Sequence, residues 1–268
     1  MNIIINADDF GISESANQAI SQLYKKGVIS SATLMVDMPY AKDAAELAKK
    51  QNIPVGLHFN LTIGGSAKYK GRADFERQLL QGRIRIRFIK EELERQYQKM
   101  LDLGLTPTHL DTHQHIHNWP QIFSVFARFA RQHQIPLRLT LEKTVFNKYD
   151  KFKISDLQHL LRKTISLVFG GLNFISAKAL RVKTNNALTS VFALWPRPEK
   201  LTHKHLQLLL QKVSNNTEYM CHPVVSTENT PTSITETSVQ EYDLMTNQEF
   251  FVMIANKFNL INFGEIDG

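Results

Sequence analysis

Short runs rich in Ile, Val and Leu alternate along this chain with stretches of helical periodicity, and that alternation limits the fold more than any other feature. Repeated strand–helix units build a parallel sheet covered by helices. Ile3–Ile5 reads as the first strand. Ser13–Lys26 reads as a helix, with Ala16, Ile20, Leu23 and Tyr24 on one face and Gly27 at its end. Further strands are expected at Ser31–Val36, Pro54–His58, Thr108–Asp111 and Leu137–Leu141, between helices at Ala41–Lys50, Lys90–Leu103 and Pro120–Gln134. Past residue 150 the pattern gives helices at Ile154–Val168, Lys200–Val213 and Asn247–Phe258, and strands at Glu218–His222 and Leu260–Phe263. Such a sheet is either closed as a barrel or open and doubly wound. The chain carries neither GxGxxG nor GxxxxGK[ST], which weighs against nucleotide folds and towards an α/β protein of the β/α-barrel type. Its 268 residues suit a single domain over 1–268, since a full barrel takes roughly 250. Two long connections, 62–87 and 224–246, are expected to be functional or mobile.

The single cysteine, Cys221, excludes an intrachain disulfide and suits a reducing compartment. The apolar start is ended by Asp8 and Asp9, too early for a signal peptide or for the roughly 20 apolar residues of a membrane span. A cytoplasmic protein that does not enter a membrane is expected. The net charge of +7 raises nucleic acid as a partner, because Arg83, Arg85 and Arg87 would share one face of a strand. A solvated edge or loop is the plainer account. No nucleic-acid-binding motif accompanies these arginines, so no such partner is expected.

Ligands of parallel β/α folds sit at the carboxyl ends of the strands. Asp8 and Asp9 fall after the first strand, His58 ends the third, Asp111, His113, His115 and His117 follow the fourth, and His222 ends a late one. One sheet would bring them all to one rim. Each has a plainer account: Asp8–Asp9 could cap the next helix, and a lone His58 could be a packing residue. Four histidines and an aspartate within His109–His117 are rare outside metal sites, His109 being the weakest member. One Asp with two His would hold a divalent ion with a position open for water. A spare aspartate could then take a proton, and His222 could supply one to a leaving group. Metal-assisted hydrolysis follows, but not the bond that is cut.

The stretches NADDFG (Asn6–Gly11), GLHFNLT (Gly56–Thr62), THLDTHQHIH (Thr108–His117) and MCHP (Met220–Pro223) are collinear and span most of the chain. Together they resemble the YdjC family of carbohydrate deacetylases, which includes chito-oligosaccharide deacetylases. The resemblance implies a β/α-barrel-like fold, distorted or with fewer than eight strands, and removal of N-acetyl groups from amino sugars, with an acetylated carbohydrate as partner. It implies Asp9, His58 and His113 as metal ligands, Asp8 as general base and His222 as general acid. The implied cofactor is one divalent ion, Mg²⁺ by family habit, whereas two imidazoles are more typical of Zn²⁺. His115 and Arg138 are expected in supporting or substrate contacts, with a surface salt bridge the alternative for Arg138. Val224 and Gln240 depart from the family pattern. Two other functions remain open, a metal-dependent phosphoesterase and a catalytically silent carbohydrate-binding protein. A homodimer is a further expectation.

Overall fold

The computed structural model describes residues 1–65 and 67–266, with the backbone alone for residues 155, 158, 159, 161 and 162. In chain order its elements are β1 (Asn2–Phe10), α1 (Glu14–Lys25), β2 (Ser31–Leu34), α2 (Ala41–Gln51), β3 (Val55–Phe59), α3 (Arg72–Leu80), α4 (Ile86–Asp102), β4 (Leu110–Thr112) and α5 (Pro120–His133). Then come β5 (Val145–Phe146), α6 (Ser155–Ala179), β6 (Ala187–Thr189), β7 (Leu194–Trp195), α7 (His203–Leu210), β8 (Thr217–Cys221), α8 (Thr235–Thr246), α9 (Gln248–Lys257) and β9 (Asn259–Leu260).

The main sheet is parallel and runs β4-β3-β2-β1-β8-β6, with β9 against the start of β1. The expected strand at Leu137–Leu141 forms no ladder. It makes only isolated bridges, Leu137 to Leu110 at the edge of β4 and Glu142 to Leu188 at the edge of β6. Between them the Asn185 side chain takes the place of a neighbouring strand. Its Oδ1 accepts from Leu139 N at 2.6 Å, and its Nδ2 donates to Leu139 O at 3.0 Å. This segment therefore joins the two edges of a curled sheet, giving a distorted β/α barrel rather than an open, doubly wound sheet.

β1 is central, flanked by β2 and β8, so all of its residues except Asn2 are buried. The largest apolar cluster draws on residues from Ile3 to Phe258. Buried polar residues gather towards the carboxyl ends of the strands: Asn6, Asp8, Asp9, His58 and Asp111, with Arg138 beside them.

Several expectations shift. The connection 62–87 contains α3 and 224–246 contains α8, so neither is wholly loop. Three short strands, β5, β6 and β7, lie where none was expected. GRIRIRF is not a strand: Arg83 and Arg85 precede α4, while Arg87 lies within it and pairs with Glu91 at 2.7 Å. The arginines therefore form no stripe of the strand kind. No helix of the described residues is long and apolar enough to cross a membrane.

Candidate metal centre and active site

Neighbouring residues of a regular strand point to opposite faces, so Asp8 and Asp9 could not both reach one site. The backbone resolves this with a bulge. Ala7 pairs with Ala32 but Phe10 with Leu34, so β1 spends one more residue than β2 across this stretch. Asp9 takes a left-handed φ of 64°. A bulge of this kind re-aims a side chain at the end of a strand. Both carboxylates thus belong to β1 itself, and neither caps α1, whose N-cap is Ser13 with Oγ accepting from Ala16 N at 3.1 Å.

His58 of β3 lies directly across from Asp111 of β4. Its Nδ1 is 2.7 Å from Asp111 Oδ1, which turns Nε2 towards Asp9 Oδ1 at 3.3 Å. His113 opens the tight turn after β4, and its Nδ1 lies 3.0 Å from the same Asp9 oxygen. Ligand atoms of Asp9, His58 and His113 fall within 4.8 Å of one another, and all three residues are buried. Asp8, His58 and Asp111 form a second such group.

Arg138 occupies the floor of the site. It has no exposed surface, which corrects the surface salt bridge and direct substrate contact expected for it. Its Nη1 and Nη2 donate to Asp8 at 2.7 and 2.6 Å, and its Nε donates to Glu218 at 3.0 Å. Asp111 Oδ2 lies 2.6 Å from Nη1. Asp8 Oδ1 also accepts from Asn6 Nδ2 at 2.8 Å and Thr33 Oγ1 at 3.0 Å. The other oxygen of Asp8 faces His222 Nε2 at 3.9 Å.

The histidine cluster divides. His117 is held between Thr112 Oγ1 at 2.6 Å and Arg138 O at 3.1 Å, a structural role. His109 stacks on Phe263 at 3.9 Å and fills the space left by Gly56, where a Cβ would come within 2.5 Å of the ring. His115 has a φ of 54° in the same turn and joins neither ligand group. Beyond β8, Glu241 of α8 accepts from the backbone N–H of His222 and from Tyr219 Oη, each at 2.9 Å. Of the departures from the family pattern, Val224 packs with Ile12, Ala16, Met35 and Met38 beside the site. Gln240 accepts from Leu201 N at 2.7 Å.

The model of the YdjC-like protein family matches residues 2–256. The chain belongs to this family. It is 30% identical over 282 residues to a carbohydrate deacetylase of Clostridium beijerinckii, covering 99% of this chain and 100% of that one. It is 37% identical over 194 residues to a chitooligosaccharide deacetylase of Salmonella newport, covering 67% of this chain and 73% of that one. Among solved structures, a putative cellobiose-phosphate cleavage protein of Enterococcus faecalis shares the fold, with a TM-score of 0.74, 21% identity and coverage of 98% and 97%.

The electrostatics of this YdjC-like site follow from three carboxylates sharing one guanidinium. Burial opposes the charge on Asp8, but Arg138 and His58 outweigh it and hold the carboxyl well below its ordinary range. Asp9 is likewise lowered, against burial, by His113 and His58. Burial raises Glu218 to about 8, which Arg138 only partly offsets. Burial opposes a charge on His58 too, yet Asp111 and Asp8 raise it to about 10. Burial outweighs Asp9 and Asp8 at His222 and lowers it, leaving a neutral imidazole.

Sequence reasoning missed Asn6, Thr33, Glu218 and Glu241. Glu218 carried a signal, since it alternates with Met220 and His222 along one strand and so shares their face. Glu241, on a separate helix, carried none.

Proposed function

We propose that the chain is a metal-dependent carbohydrate N-deacetylase. The observation that carries this reading is a buried Asp9–His58–His113 group with Asp8 and His222 beside it. The donor set fits a divalent ion. Asp8, Asp9 and Asp111 outnumber the cations Arg138 and His58, so the site keeps an excess of negative charge suited to a divalent ion that displaces the His58 proton, while Glu218 keeps its own. Asp111 holds Nδ1 of His58, the outer hydrogen bond that commonly orients a ligating imidazole. Two imidazoles and a carboxylate suit Zn²⁺, and Mg²⁺ is the family's customary ion.

When bound, such an ion supplies Lewis acidity, acidifying water and polarising a carbonyl oxygen. Asp8 stays ionised and offers Oδ2 as proton acceptor, while Arg138 fixes the carboxylate in one orientation. That orientation comes at a cost in basicity, because a carboxylate so stabilised binds protons weakly. His222 rests neutral and must gain a proton before it can give one to the leaving amine. Asp8 Oδ2 at 3.9 Å is positioned to pass it on.

The two-metal phosphoesterase reading loses its second site. Asp8 and Asp111 are already bridged by the Arg138 guanidinium, where a second cation would have to lie. The complete set of ligands and proton carriers weighs against a silent binding protein. A lone buried cysteine is in keeping with a cytoplasmic location. The test is acetate release from N-acetylated mono- and oligosaccharides with Mg²⁺, Zn²⁺, Co²⁺ or chelator. Release that chelator abolishes is expected, with Asp8→Asn losing at least about 100-fold in kcat. Full activity of Asp8→Asn would remove it as base, and release unaffected by chelator would remove the metal.

A further inference from the structure

Aromatic rings lead outward from His222 along the rim of the barrel. Phe192 stands edge-to-face against the His222 ring at 5.8 Å. Three residues on, the half-buried Trp195 is flanked by Phe152 at 5.6 Å and Phe146 at 6.2 Å. Phe146 and Phe152 are 65% and 53% exposed although each packs on Trp195, an unusual condition for two large rings. Phe152 lies in the connection between β5 and α6, whereas Phe146 is fixed in a ladder. Phe146 pairs with Trp195 in the β5–β7 ladder, and Trp195 Nε1 donates to Asp156 O at 3.2 Å.

Both short strands lie in connections that leave the carboxyl side of the barrel, one following the closing segment at Glu142 and the other following β6. The rings therefore share the rim with Asp8 and His222. From Phe192 to Trp195 the backbone can span at most roughly 10 Å, within reach of a short oligosaccharide whose reacting unit sits at His222. Flat rings suit pyranose units, which present an apolar C–H face while their hydroxyls stay in water.

We propose that Phe146, Phe152 and Trp195, linked to the site through Phe192, form a subsite for the sugar units beyond the one whose amide is cut. The identity of the ligand rests on the deacetylase reading. The Phe192 contact with His222, and the short span of chain from Phe192 to Trp195, favour a saccharide chain over a protein partner.

The test compares wild type with Phe146→Ala/Phe152→Ala, in which both replaced rings are exposed. Kcat/KM is measured on N-acetylglucosamine oligomers of increasing length, and binding of the longest is followed by Trp fluorescence with chelator present. Trp195→Phe assigns the signal, since Trp119 is the only other tryptophan. The double variant is expected to lose more activity as the chain lengthens, to about tenfold for the longest, with matching loss of binding. Equal loss at every length, no loss at any, or a change in oligomeric mass without a change in sugar binding would overturn the subsite. Binding that the double variant weakens, without acetate release by wild type, would keep the subsite and refute the deacetylase. Acetate release with no length dependence would do the reverse. Neither binding nor release by wild type would overturn both.

Discussion

Asp111→Asn isolates the link between the floor of the site and the proposed metal ligands. Asp111 accepts from His58 Nδ1 at 2.7 Å on one oxygen and forms an ion pair with Arg138 Nη1 at 2.6 Å through the other. Asparagine keeps one acceptor and turns the other into a donor. If the amide oxygen faces His58, the amide N–H₂ meets the Arg138 donors and the pairing is lost. If it faces Arg138, His58 must accept at Nδ1 and carry its hydrogen on Nε2, the atom 3.3 Å from Asp9. That hydrogen occupies the lone pair a cation needs. Either orientation weakens the site, and loss of such an outer partner typically costs 10–100-fold in metal affinity, about 1.4–2.8 kcal/mol. Titration calorimetry of the apo protein with Zn²⁺ and with Mg²⁺ measures it directly, and a thermal melt of the variant checks that it is folded. A dissociation constant within threefold of wild type, in a folded variant, would refute the reasoning.

Arg138→Met leaves Asp8 and Asp111 without their counter-charge and Glu218 without its donor, and breaking a buried pair costs about 3–5 kcal/mol. The melting temperature is expected to fall by roughly 6–20 °C, and an unchanged melt would contradict the floor-of-site role. Glu218 and Glu241 are both raised by burial, to about 8 and about 7. Each binds its proton more tightly folded than unfolded, so its stabilisation is complete below the unfolded value of 4.5 and is lost as pH rises through 7 to 8. Melts in chelator should fall between about pH 5 and 8 and level off above, and Glu241→Gln should flatten that fall; a parallel curve would refute it. On α6, Ile165, Val168, Leu172 and Ile175 are 48–66% exposed at helical spacing, the surface we assign to a second copy of the chain in a homodimer. Leu172→Glu/Ile175→Glu should reduce a mass of twice 30.7 kDa to that of one chain in sedimentation equilibrium, whereas a wild-type monomer or an unmoved dimer would exclude that surface.

The residues of the proposed ligand set were legible as a cluster because their types are rare and fall at strand ends. Asp8, Asp9, His58, His113 and His222 could be placed on one rim by counting strands alone. How Asp8 and Asp9 share a face was not legible, because it depends on a bulge that no residue type announces. Arg138 could be read as a supporting or substrate contact or as a surface ion pair, since its three carboxylate partners lie 27, 80 and 130 positions away. Leu137–Leu141 has the composition of a strand, yet Asn185 takes over its hydrogen bonds and the ladder never forms. The helices α3 and α8 were hidden in polar connections, and α4 begins four residues before the expected start, absorbing Arg87.

The segment that closes the barrel also carries Arg138, and this bears on the order in which the protein assembles. Pairing Leu137 with Leu110 is a local event, but Arg138 meets Asp8 and Glu218 only when the first strand and the last third of the chain have come together. Such distant contacts carry the largest loop-closure entropy, so they reward the chain late in folding. A nascent chain ending before β8 holds Arg138 without Glu218 and leaves its barrel without β8 and β6 joined. Metal-binding competence is therefore expected to appear only once the ring is closed, which makes cation uptake a reporter of completed folding.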